Sequence, residues 1–165
     1  MTSKSATEFI LSTWNRLHRL PGGNWLFNCL LRWYIPYSGS IKARVLELKP
    51  GYARLELREK RRVRNHLNSV HALALANLGE LTSGLALLSG MDDKVRGIPF
   101  RISTEYYKKA RGILVAKCHV TAPGADEIHR NENMDFRVSA DIIDEDGEVV
   151  ATTVVDWRLA PVKHV

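Results

Sequence analysis

Between Arg64 and Asp92 the chain carries one formally charged residue, Glu80. Asp, Glu, Lys and Arg make up 25% of the whole sequence, so one charge in these 27 residues is a strong local depletion. The positions that neighbour Glu80 at helical spacing, Leu73, Ala76, Asn77, Ser83, Gly84 and Leu87, include no Lys or Arg. A carboxylate held there finds a partner elsewhere in the fold, shifts its pKa upward, or does chemistry. A solvated surface glutamate is the plain alternative. Upstream, Ser69 or Asn68 is the natural N-cap of the same helix, which places His71 and Ala72 in its first turn. Backbone N–H groups there lack intrahelical acceptors and, helped by the helix dipole, suit an oxyanion or a polarised carbonyl. Ala72 is small enough to let a carbonyl approach its amide, and Asn65 in the entering loop offers either a positioning amide or a loop cap. An oxyanion donor, a base and a positioning group are the parts needed for acyl transfer to water.

These residues must be held by a long helix. Val70, Ala74, Leu78, Leu81, Leu85 and Leu88 recur at its period, and the segment is apolar over most of its circumference. Before it, Ile41, Ala43 and Val45 alternate with polar residues. After the turn Lys49-Pro50-Gly51, so do Ala53, Leu55 and Leu57, predicting a hairpin with one wet face. After Gly90 four strands follow. The first puts Ile98, Phe100, Ile102, Thr104 and Tyr106 on one face. Lys108 to Gly112 then break the run before Leu114–Val120. A polar loop over 122–133 precedes Phe136–Ile142, and Asp146-Gly147 turns the chain into Val149–Trp157. Two strands, one apolar helix and four strands predict an α+β fold whose antiparallel sheet curls round the helix. Phe9 to Leu20, closed by Pro21-Gly22-Gly23, and Trp25 to Tyr34 read as two helices outside that core. They would serve as a lid, a cap on the sheet edge, or an interfacial membrane contact, with the cap favoured. The expected division is a helical extension over 1–38 and the sheet domain over 39–165.

A chain of 165 residues is one domain with a substantial core. The net charge of +6 favours an anionic partner. No aromatic-interleaved basic repeat points to nucleic acid, and a phosphate-bearing small molecule fits equally well. Cys29 and Cys118 make no disulfide framework and match no metal spacing, which suits free thiols in the cytoplasm. His18, His119, His129 and His164 show no metal-ligand spacing either. The polar start Met1–Lys4 predicts no secretory signal. The apolar stretch Trp25–Tyr37, interrupted by Asn28 and Arg32, is too short for stable membrane insertion.

Asn65, then His71-Ala72 six residues on, then Glu80 nine beyond the histidine, resembles the Asn … His-Gly-Gly … Asp/Glu pattern of hot-dog fold acyl-CoA thioesterases. The phenylacetyl-CoA thioesterase branch is the nearest in spacing. The strand and helix order over roughly 40–160 agrees, leaving the N-terminal helices as an addition. The resemblance implies Glu80 as general base or nucleophile, and Ala72 N–H against the thioester oxygen. It implies Asn65 as the amide residue, supplied from the neighbouring subunit of a homodimer, with pairing into a tetramer left open. It also implies His71 beside the substrate and Lys108, Lys109 and Arg111 as phosphate contacts, with Arg61, Arg62 and Arg64 as second choice. Coenzyme A, or an acyl carrier protein, is then part of the substrate, and no separate cofactor or metal is expected. The chain departs from the pattern in reading His-Ala-Leu, which crowds the start of the helix, and in using Glu in place of the Asp common in that branch.

Two other readings compete. A hydratase or dehydratase on the same fold would pair His66 with Glu80, fourteen residues apart, but the Pro-Gly-Val-Leu type opening of such helices is replaced by Val70-His71-Ala72-Leu73. A non-catalytic acyl-thioester binding protein would keep the fold without turnover.

Overall fold

The computed structural model describes residues 6–131 and 133–162. The polar start Met1–Lys4 and His164 lie outside them. In chain order the elements are α1 (Ala6–Leu17), α2 (Gly23–Tyr34), α3 (Pro36–Gly39), β1 (Arg44–Lys49), β2 (Tyr52–Arg58), a 3-10 turn at Arg61–Val63, α4 (Ala72–Gly90), β3 (Val95–Tyr106), β4 (Ile113–His119), α5 (Ala125–Asn131), β5 (Met134–Ile143) and β6 (Val149–Pro161). The six strands form one antiparallel sheet in the order β1-β2-β4-β5-β6-β3. The sheet wraps α4 as expected: the helix contacts all six strands, and twelve of its residues, from Ala74 to Ser89, are buried. Among the described residues α4 alone is long and apolar enough to cross a bilayer. Here sheet side chains such as Leu55, Leu114, Ile142 and Val155 take the place of lipid.

Small residues set how close α4 lies to β6. A Cβ on Gly79 would stand 2.2 Å from Thr153 Oγ1, and one on Gly84 would stand 3.2 Å from the Trp157 ring. Thr153 is itself buried and shares a 3.0 Å hydrogen bond with Thr104 across to β3. At the far end, Ser89 Oγ donates to Lys49 O at 2.8 Å, tying α4 to the β1–β2 turn.

The N-terminal helices cap the sheet. Trp14 of α1 packs edge-on against Phe27 of α2, and both join the same buried cluster as the central core. Asn28 reaches β1: Val45 N–H donates to Asn28 Oδ1 at 2.7 Å, and Asn28 Nδ2 donates to Val45 O at 3.3 Å. The side-chain amide thus pairs with the edge strand as a neighbouring strand would.

Three local expectations change. The alternation of Ile41, Ala43 and Val45 is buried, but Lys42 adopts φ 57, so regular pairing starts only at Arg44. In β3 a bulge between Pro99 and Arg101 reverses the facing. Ile102, Thr104 and Tyr106 take the α4 side of the sheet, with Ile102 and Tyr106 still exposed at this edge, whereas Ile98 pairs with Arg158, whose guanidinium lies over the Phe100 ring on the outer face. The polar loop over 122–133 contains α5, with Asp126 and Glu127 in its first turn and one apolar anchor, Ile128, fully buried. A single anchor leaves no periodic signal.

Candidate active site

The start of α4 is built by the loop before it. Asn65 Oδ1 accepts from Leu67 N–H (2.9 Å), Ser69 N–H (3.2 Å) and Ser69 Oγ (3.2 Å), while Asn65 N–H donates to Ser69 O. Asn68 takes φ 52 to close this turn. The Ser69 hydroxyl is therefore engaged within the loop and does not cap the helix. The chain stays extended through Val70, whose N–H donates to Ala110 O, and His71, whose N–H donates to Val63 O. His71 becomes the N-cap: Leu73 N–H donates to its Nδ1 at 3.1 Å, which leaves Nε2 to carry the proton of the neutral ring. Ala74 and Leu75 N–H turn back to His71 O. Ala72 N–H has no acceptor among the described residues. It is an exposed donor at the positive end of a 19-residue helix. Tyr106 Oη donates to Ala72 O at 3.1 Å and pins this residue from β3, a contact with no signal in the sequence.

Three donors on one oxygen also fix which way the Asn65 amide faces, so Nδ2 is its free end. Asn65, Ala72, Tyr106, Lys108 and Lys109 line one open depression of about 240 Å³. A second depression, of about 320 Å³, lies on the other side of the helix start and is lined by Tyr37, Arg62, Arg64, His71, Leu73 and Asn77. The structure thus separates His71 from Ala72. Leu73, the bulkiest departure of the His-Ala-Leu start, turns into the second depression, so the approach to Ala72 N–H stays open.

Glu80 lines neither depression. It is half-buried, with no hydrogen bond or ion pair to its carboxylate among the described residues, and burial raises its pKa. Eight residues of helix place it about 12 Å along the axis from Ala72 and about 80° round it. His66 is exposed and, like Glu80, lines neither depression. Cys118 is buried and its thiol is pushed up to about 12, so it is a poor nucleophile.

The predicted phosphate contacts divide. Lys108 Nζ is held by Asp144 at 2.6 Å and by Glu148, both of the β5–β6 turn, which raises its pKa and neutralises it within the chain. A phosphate at Lys108 would therefore compete with two carboxylates of the same chain. Lys109 is exposed without an ion pair among the described residues, and Arg111 uses Nε on Asn68 O. Of the second-choice set, Arg64 pairs with Glu59 at 2.6 Å, and Arg62 lines the second depression. Among the described residues no three His, Cys, Asp or Glu side chains cluster to hold a metal.

The sequence profile of a family described as a domain of unknown function (DUF4442) matches residues 23–159. No curated protein sequence matches the chain. Among solved structures, the chain is similar to a structural-genomics protein designated APC5556. The two are 26% identical with a TM-score of 0.76, over 93% of this chain and 99% of that one. It is also similar to a Pseudomonas aeruginosa protein of unknown function described as a probable thioesterase, with 24% identity and a TM-score of 0.74 over 87% and 97% of the chains. A thioesterase family protein from Silicibacter pomeroyi matches at 17% identity and a TM-score of 0.67 over 82% and 96%. These likenesses, with the curled sheet and its single enclosed helix, make the architecture the hot-dog fold.

Proposed function

The chain belongs to the DUF4442 family, and from that premise we propose that it hydrolyses acyl thioesters of coenzyme A or of an acyl carrier protein. The observation that carries the reading is the depression in which the free Ala72 N–H and the locked Asn65 amide face the same space. Two donors converging there suit the oxygen of a thioester, whose charge grows as the carbonyl is attacked. Glu80, raised by burial and free of any cation, is a base whose proton affinity lies nearer neutrality than that of a solvated glutamate.

The base and the donors belong to different protomers in this reading. The twofold partner forms through β3, an edge strand of twelve residues with Ile98, Phe100, Ile102 and Tyr106 exposed. A long apolar edge is an invitation to pair, and a twofold interface repeats each contact. Glu80 of one copy then serves the Ala72 and Asn65 of the other. Water attacks the thioester carbon as Glu80 takes its proton. The tetrahedral oxyanion rests on Ala72 N–H and Asn65 Nδ2, the C–S bond breaks, and the proton passes from Glu80 to the leaving thiolate. Lys109, which lines the same depression, and Arg111 two residues on supply cations for the nucleotide phosphates.

The test is release of free thiol from a panel of aliphatic and aromatic acyl-CoAs by wild type, Glu80→Gln and Asn65→Asp. Loss of the base costs on the order of 10²–10⁴ in rate. Equal turnover by wild type and Glu80→Gln rejects the assignment. Binding of acyl-CoA without thiol release by wild type makes the protein a thioester carrier or sensor instead.

A further inference from the structure

α2 is apolar on both sides. Phe27 and Leu31 face the core, while Trp25, Leu26, Leu30, Trp33 and Tyr34 face solvent, within about half of the helix circumference. Trp25 is 72% exposed and Trp33 83%, and Tyr37 of α3, which follows directly, is 81% exposed. An exposed apolar surface of this kind on a folded domain marks a contact with something else.

Charge says what that partner is. Residues 1–44 hold six basic residues, Lys4, Arg16, Arg19, Arg32, Lys42 and Arg44, against one acid, Glu8, so they contribute five of the six net positive charges. Elsewhere Arg54, Arg58, Arg64, Arg137 and Arg158 each pair with a carboxylate, as Arg44 of this segment does with Glu56. Arg16, Arg19, Arg32 and Lys42 have no such pair among the described residues, and Arg32 Nε is buried without an acceptor. A second copy pressed face to face would bring like charges together. The β3 edge available for self-pairing is also the opposite edge of the sheet from β1, on which α2 packs.

We propose that the α2–α3 surface docks the protein onto an anionic phospholipid bilayer. Twelve residues make a helix of about 18 Å, too short to span the hydrocarbon layer but suited to lying in the interface. Trp and Tyr settle at the headgroup level, with apolar ring bodies toward the acyl chains, and the unpaired arginines meet lipid phosphates.

The experiment is flotation of the full chain with phosphatidylcholine vesicles and with vesicles in which about one third of the lipid is phosphatidylglycerol. Wild type floats with the anionic vesicles, less so as salt is raised. Trp25→Ser/Trp33→Ser weakens partitioning by at least about tenfold, and Arg16→Glu/Arg19→Glu removes the preference for anionic lipid. Trp14 and Trp157 are buried, so a blue shift of fluorescence on adding vesicles reports Trp25 and Trp33 and disappears in the double variant. An unchanged thermal transition shows that each variant is folded. The proposal is overturned if wild type stays with the lipid-free fraction, or if Trp25→Ser/Trp33→Ser floats as well as wild type. It is equally overturned if that variant changes only the oligomer mass in lipid-free solution.

Discussion

If the donors and the base of one site come from two protomers, a pair of inactive variants must rescue each other. Glu80→Gln removes the base and keeps the donors. Asn65→Asp keeps the oxygen that gathers Leu67 and Ser69, so the loop holds, but replaces the free Nδ2 donor with a second carboxylate oxygen. Each homodimer should fall to about 1% of wild-type turnover or less. On co-expression half of the dimers are mixed. In a mixed dimer one site joins an intact Asn65 to an intact Glu80, and the other site joins the two defects. The mixture therefore recovers about one quarter of wild-type activity per mole of chain, and mixed dimers isolated with two affinity tags recover about half. If both groups acted within one chain, every site would carry a defect and the mixture would stay at about 1%. The roughly 25-fold gap is readable by thiol release from acyl-CoA. Activity at the mean of the two parents refutes the shared site, whatever the oligomeric state.

Burial holds the Glu80 pKa above 4.5, so kcat/KM should rise with pH through that raised value, a limb absent from Glu80→Gln. The same group sets a stability trend with the opposite sense. The folded chain keeps the proton over a range where the unfolded chain has released it, so stability falls as pH rises from about 4.5 to the folded pKa. Glu80→Gln should then show the higher Tm at neutral pH and lose that advantage in acid; parallel Tm–pH curves would contradict this. Gly79→Ala drives a methyl into Thr153 and should cost about 1–3 kcal/mol, a drop of roughly 2–12 °C in Tm by calorimetry. The same change at Gly84, with 3.2 Å to a ring edge, should cost less. Lys109→Ala and Arg111→Ala should raise KM for acyl-CoA with little change in kcat, whereas Lys108→Ala, already neutralised by Asp144 and Glu148, should leave KM near wild type.

Much of the architecture is legible in the residue pattern because α4 and the strands have strong, unmixed periods. The isolation of Glu80 is legible too: uncharged residues at its helical neighbours lead directly to a half-buried carboxylate with no partner among the described residues. What the pattern misses depends on contacts between distant segments. Ser69 looks like a cap until Asn65, four residues away, claims its hydroxyl and hands the role to His71. Lys108 looks like a free cation because the acids that hold it lie 40 positions on or nearly so, at Asp144 and Glu148. The five alternating residues of β3 read as one face until the bulge beside Pro99 splits them between two. The separation of the base from the donors was present in the eight-residue spacing from Ala72 to Glu80, once that spacing is converted to a rise along the helix.

The two hydrogen bonds between Asn28 and Val45 bear on how large an assembly this chain can build. A sheet has two ends, and either can recruit another chain. Asn28 occupies backbone groups of β1 at the point where a neighbour would begin to pair, and the helix behind it blocks approach. Among the described residues no side chain caps β3, at the other end, in this way. Growth through one self-complementary edge terminates after a single addition, because each newcomer presents only its stoppered end. Replacing Asn28 alone would free the Val45 backbone groups but leave the helix across them, so the proposed pairing through β3 would still close at two copies.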